Sequence, residues 1–187
     1  MSTATVVNTT VAAPIPVSMD ASADLSVSRI PLHGNDIPVI LATVAQLARQ
    51  FSSAPIIRQA AEEIIHPARN ADAAGNAYKL AAWVRNRMIY VPDPTDLEYV
   101  QSPVVLVARI ISKGQAYGDC DDHVLLLASL LGSLGISNRI LGVKLNHDYY
   151  DHVINSVQYC NGGEWHDIDT CAKTGVEMPF YRERIVA

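Results

Sequence analysis

The sequence predicts an α+β domain in which N-terminal helices precede a central helix packed on a small antiparallel sheet. Three observations predict it. Apolar residues recur at helical spacing from Ile37 to about Met88. A cysteine turn then opens a long apolar helix at Cys120. Beyond Gly135 the apolar period changes to two, and Asn161-Gly162-Gly163 is a hairpin signal. Helices first and strands afterwards is the order of an α+β domain.

Composition bounds the rest. A chain of 187 residues holds one domain with a sizeable core plus an extension. Residues 31–187 are assigned to the domain and residues 1–30 to the extension. With 49% hydrophobic and 18% charged residues, wholesale disorder is excluded. The net charge of −5, with no two adjacent Lys or Arg residues, excludes nucleic acid as a main partner, because phosphate binding needs clustered positive charge. No apolar run reaches the ~18 residues of a membrane span. The first thirty residues lack a basic start and make a poor signal peptide. Three cysteines do not make a disulfide framework, which favours a reducing compartment.

The extension is rich in Ala, Thr, Ser and Val, and Asp20 is its first charged residue. It is expected to be a flexible tail or an arm that docks on a partner through Val6-Val7 and Ile15-Pro16-Val17. Ile40, Leu41, Val44, Leu47 and Ala48 form the stripe of a first helix that runs to about Phe51. Ser53 precedes a second, from Ala54 to Ile65, which Pro67 stops. Asn70 or Asp72 opens a third, striped by Ala77, Leu80, Ala81, Val84 and Met88. Ile89-Tyr90-Val91 leaves it extended, and Pro92-Asp93-Pro94 turns the chain. Pro103 fits the first turn of a fourth helix, Val104 to Ile111, with Ser102 as N-cap and Lys113-Gly114 as its end. After the central helix, Arg139–Lys144, Asp151–Gln158 and Glu164–Asp169 read as three strands.

The chemistry-bearing stretch is Gly118-Asp119-Cys120-Asp121-Asp122-His123, followed by Val124–Leu131. Asp119 suits the N-cap, and Asp121 and Asp122 complement the positive helix end. A helix start favours a thiolate at Cys120, although the three neighbouring acids oppose one unless they are paired or point away. Cys120-x-x-His123 with His147, His152, Cys160, His166 and Cys171 supplies soft metal ligands. No Cys-x-x-Cys or His-x-x-x-His pair is present, so neither a metal nor any other cofactor is assigned. Taken singly, Cys120 is a small buried hydrophobe and His123 a core or surface residue. Cys160 and Cys171 read as packing.

Gly118-Asp119-Cys120 before an apolar helix, Leu134-Gly135-Ile136 after it, Asp151-His152-Val153 and Trp165–Thr170 together resemble the transglutaminase-like branch of the papain-type cysteine enzymes. The similarity includes Ala82-Trp83-Val84-Arg85 and Tyr90–Pro94, and spans roughly residues 75–171. With Glu98, Gln101-Ser102-Pro103 and the acidic cysteine turn, the chain is similar to small forms encoded by tailed bacteriophages and prophages.

The resemblance implies a papain-like fold and a Cys–His–Asp triad: Cys120 as nucleophile, His152 as base, Asp169 as the residue that orients the imidazole. The family aspartate is usually followed by Pro-Thr, but Thr170-Cys171 follows here, which keeps Asp167 as a fallback acid. The Cys120 backbone N–H is one oxyanion donor, and Gln115 is the upstream candidate for the second. The implied function is thiol-dependent acyl transfer from a protein or peptide substrate, as a peptidase, amidase or transglutaminase-like enzyme. The alternative is a non-catalytic virion component of head or tail, its arm contacting other virion proteins. The expected setting is the bacterial host cytoplasm, the phage virion or both.

Overall fold

The computed structural model describes residues 31–32, 37–66, 72–94, 98–145, 149–160, 162–172 and 184–186. The extension assigned to residues 1–30, the Pro67 stop and His147 lie outside them. After the short strand β1 (Pro31–Leu32), helices α1 (Ile37–Phe51), α2 (Pro55–Ile65) and α3 (Ala73–Arg87) form where the spacing predicts them. Each buries the stripe that defines it: Ile40, Leu41 and Val44 on α1, Ile57, Ala60 and Ala61 on α2, Ala77, Leu80, Ala81 and Val84 on α3.

The ends show local chemistry. Asp72 caps α3, its Oδ1 accepting the Gly75 N–H at 2.8 Å. Ser53 does not cap α2. Its hydroxyl donates back to the Gln50 carbonyl at 2.9 Å, and Ala54 takes the N-cap position before Pro55.

Strand β2 (Met88–Tyr90) leaves α3 directly, and β3 (Glu98–Tyr99) pairs antiparallel with β1. Helix α4 (Pro103–Lys113) has Ser102 at the N-cap position without a side-chain bond, and Gly114 ends it at φ 82°. That left-handed conformation is the one glycine adopts without strain. Strand β4 (Ala116–Gly118) then runs parallel to β2, placing Tyr90 opposite Gly118. The chain turns there into α5 (Cys120–Ser133).

Helix α5 is apolar on every side, and 12 of its 14 residues are buried, which makes it the core. It packs against α1, α2, α3 and α4, and against strands β5 (Ser137–Val143) and β6 (His152–Gln158). Leu126, Leu127, Leu130 and Leu131 face the α2–α4 side, while Val124, Leu125 and Ala128 face α1 and the sheet. Burying a leucine fully contributes about 1.5–3 kcal/mol, so this helix is the largest single source of cohesion.

The sheet orders its strands β7-β6-β5-β8, all antiparallel, with β7 at Trp165–Ile168 and β8 at Arg184–Val186. The β5–β6 register runs from Ser137↔Gln158 to Val143↔His152. That register puts His152 at one end of its strand. The α+β class and the helix-on-sheet packing are as the sequence predicts.

Candidate active site

The site is built where three backbones converge: the α5 start, the beginning of β6 and the chain leaving β7. Gly118 is required by close approach, since a Cβ there would lie 2.3 Å from Asp122 Oδ2. Asp122 is held from the other side by Gln101, whose backbone N–H donates to Oδ1 at 2.6 Å and whose amide donates to Oδ2 at 2.5 Å. Gln101 in turn donates to the Tyr117 carbonyl and accepts from Arg109 Nη1 at 2.8 Å. This clasp ties the α4 start to the cysteine turn. Burial pushes the Asp122 carboxyl up to about 7 despite both Gln101 donors, with Asp119 and Asp93 adding to the rise.

Asp119 occupies the N-cap position of α5, but its side chain makes no cap bond, and its buried Oδ1 has no partner. The expected Asp119 cap is therefore a matter of position only. The Asp119 carboxylate thus satisfies none of the first-turn N–H groups of α5. Cys120 is the first helical residue, partly buried against the cluster of α1, α5 and sheet residues that includes Val153, whose backbone N–H is close to the sulfur. Burial pushes its thiol well up, and Asp119, Asp121 and Cys171 push it further; the Val153 backbone N–H opposes them. The helix start alone does not make this sulfur a thiolate.

His152 and Asp169 come together. His152 Nε2 lies 3.0 Å from Asp169 Oδ2, both side chains nearly fully buried. Asp169 Oδ1 accepts the backbone N–H groups of Cys171 at 2.8 Å and Ala172 at 3.3 Å. Burial alone would raise this carboxyl, but the His152 ring and those N–H groups outweigh it and hold it low. Asp169 is therefore an anion facing an imidazole. Arg85 Nη2 fixes the segment from behind by donating to the Asp169 carbonyl at 2.7 Å.

The structure thus pairs His152 with Asp169, and places Asp167 opposite Ser156 on β7. Cys120 reaches this pair through Val153, the neighbour of His152, and makes no hydrogen bond with the His152 ring. The Gln115 side-chain amide donates to the exposed Tyr117 hydroxyl at 2.5 Å. His166 stacks on Tyr159 with centroids 4.5 Å apart, and Cys160 is exposed.

Three residues belong to the neighbourhood although sequence reasoning gave them no role. His123 is buried, and burial lowers it to about 4 although Asp169 and Asp119 oppose the fall. The Thr170 backbone is close, yet neither His123 ring nitrogen completes a hydrogen bond of normal geometry. Tyr90 stands half-exposed at the mouth, its ring 6.4 Å from that of His123, and burial followed by Cys120 raises its hydroxyl. Cys171 lies against His152 and Asp169: its sulfur, a His152 ring nitrogen and an Asp169 oxygen are all within 4.8 Å of one another. The departure at Thr170-Cys171 from the usual Pro-Thr was the available signal for Cys171. His123 was marked only by its place one turn into α5 and by the Cys120-x-x-His123 spacing.

The family model described as the transglutaminase-like superfamily matches residues 58–170, well over half of the chain. The protein belongs to that superfamily, whose members are typically cysteine peptidases or acyltransferases. The matched span contains Cys120, His152 and Asp169.

Among solved structures, the chain is similar to one provisionally named a protease, from Parabacteroides distasonis, at 14% identity and a TM-score of 0.52. That match covers 75% of this chain and 27% of the other. A provisionally named cysteine protease from Cytophaga hutchinsonii matches at 19% identity and a TM-score of 0.41, over 75% of this chain and 43% of the other. The periplasmic domain of TgpA from Pseudomonas aeruginosa, bound to ethylmercury, matches at 17% identity and 0.36, over 76% and 46%. The chain thus spans less than half the length of each of these structures. At such identities the first likeness concerns the fold. No curated protein matches the chain.

Proposed function

We propose that the protein is a thiol-dependent acyl-transfer enzyme acting on amide bonds of a protein or peptide. The observation that carries this reading is the buried His152–Asp169 pair at 3.0 Å, formed beside the strand residue that packs on Cys120. Such a pair costs desolvation and holds one imidazole in one orientation, which a purely structural histidine does not require.

Because the resting sulfur is held as a thiol, His152 acts as general base during attack and not as half of a pre-formed ion pair. The Cys120 proton moves to the imidazole as Sγ adds to the carbonyl carbon. Asp169 stays ionised and stabilises the imidazolium that results. The same ring then returns the proton to the leaving amine, and water or a second amine resolves the thioester. Developing oxyanion charge faces the Cys120 backbone N–H, at a helix start that the Asp119 carboxylate leaves uncapped. Gln115 is the candidate second donor, through the amide N–H that the Tyr117 hydroxyl does not take.

The test is turnover of a panel of fluorogenic peptide amides, with the acyl-enzyme trapped at Cys120 and read by intact mass. His152→Ala is expected to lower turnover by about 10²–10⁴-fold. Turnover that persists in Cys120→Ala would overturn the assignment. Added primary amine separates the two fates of the thioester: a stable amide product marks cross-linking and free acid marks hydrolysis. A second reading, a virion component with an idle triad, is favoured by the upward push on the thiol. It predicts neither turnover nor trapped acyl-enzyme with any member of the panel.

A further inference from the structure

We propose that His152, Asp169 and Cys171 form a binding site for a zinc-class divalent cation whose occupancy silences the triad. The donor set is one imidazole nitrogen, one carboxylate oxygen and one thiol sulfur, all within 4.8 Å of one another. Four-coordinate zinc takes these three ligand types at about 2.0–2.3 Å, and tetrahedral ligand atoms then stand roughly 3.3–3.8 Å apart. The 3.0 Å between His152 Nε2 and Asp169 Oδ2 is already near that spacing. The sulfur, within 4.8 Å of both, has to close by no more than about 1 Å, and it sits on the short segment after β7, where Cys171 is partly exposed.

The surroundings suit a cation. Asp169 Oδ1 is fixed by two backbone N–H groups, which aim Oδ2 at the site as an outer shell does for metal-ligating carboxylates. Asp119 and Asp121 act on the Cys171 sulfur as negative charges, and Arg85 opposes them. When a divalent ion binds, the Cys171 S–H proton leaves to solvent as the M–S bond forms, and the acids then face a cation. Harder ions such as magnesium are disfavoured by the sulfur and nitrogen donors.

Occupancy would block the proposed chemistry directly. A metal on His152 Nε2 replaces the N–H···O bond to Asp169, and the proton that Nε2 carried moves to Nδ1. With Nδ1 protonated and Nε2 on the metal, His152 cannot accept the Cys120 proton. This consequence rests on the function proposed above, whereas the site itself does not.

The test uses the reduced full-length chain titrated with Co²⁺. A thiolate-to-cobalt band with one equivalent per chain is expected, displaced by Zn²⁺, lost in Cys171→Ser and kept in Cys120→Ser. No band in the wild type, a band that survives Cys171→Ser, or a band lost in Cys120→Ser would each overturn the proposal. A second measurement needs no variant. Zn²⁺ should slow maleimide labelling of Cys171 at least tenfold and leave exposed Cys160 unchanged; equal protection of both, or of neither, contradicts the site. A cobalt band without amide turnover keeps the metal site and removes the enzyme reading. Turnover without the band does the reverse.

Discussion

The two ends of α5 obey different rules. From Val124 to Leu131 the helix buries leucines against α1–α4 and the sheet, and its Ser129 hydroxyl is satisfied by the Leu125 carbonyl at 2.8 Å. From the N-cap Asp119 to His123 the chain buries three acids and an imidazole and partly buries a thiol. Asp122 is driven up to about 7, His123 down to about 4, and Cys120 upward. The apolar body shows what the fold needs. The polar turn departs from it in the way sites do, where local rules are broken for chemistry and stability is supplied elsewhere.

That contrast can be broken most severely in the body. Leu127→Ala, at a fully buried position, is expected to cost about 2–5 kcal/mol of unfolding free energy in urea titrations. Gly118→Ala should cost about 1–3 kcal/mol, because its Cβ meets Asp122 Oδ2 at 2.3 Å and the clasp with Gln101 has to shift. If Gly118→Ala is neutral, the turn is looser than described. Asp72→Ala, outside the polar turn of α5, should cost only about 1 kcal/mol through loss of the α3 cap.

A test of a different kind sharpens the comparison by pH. Asp122 titrates at about 7 in the fold against 3.8 unfolded, so the folded protein keeps a proton that the unfolded chain has lost. Stability from this group therefore falls as pH rises across that window. His123, at about 4 against 6.5, runs the other way: its contribution is lost as pH falls through that range. The two slopes offset in the wild type. Asp122→Asn removes one of them, so its unfolding free energy should rise more steeply with pH between about 4 and 7 than that of the wild type. Parallel profiles would show that Asp122 is ionised throughout.

The sequence made the helices legible because each buries a stripe that periodicity exposes, as Leu80, Ala81 and Val84 do on α3. The strands β5 and β6 were visible from their alternating pattern, although β6 is buried on both faces from His152 to Val157. Strand β8 was not, since Arg184-Ile185-Val186 is too short to carry a period and exists only through its pairing with β5. The parallel pairing of β2 with β4 joins segments far apart in sequence, which no local pattern encodes. Within the site, His152 and Asp169 were recognisable through motif order, and the structure brings them together. The hydroxyl at Ser53 and the carboxylate at Asp119 show the limit of cap signals: the residue types suit capping, but the bonds go elsewhere or are not made. Gln101 as the clasp on Asp122 required the tertiary contact to be seen.

The account centres on His152 as the base that withdraws the Cys120 proton. Its most direct test is the pH dependence of iodoacetamide alkylation at Cys120, resolved by peptide mass in wild type and His152→Ala. The account predicts at least a tenfold slower reaction at neutral pH in the variant, with the two rates converging in strong alkali, where the thiol ionises unaided. Equal rates at neutral pH would contradict it.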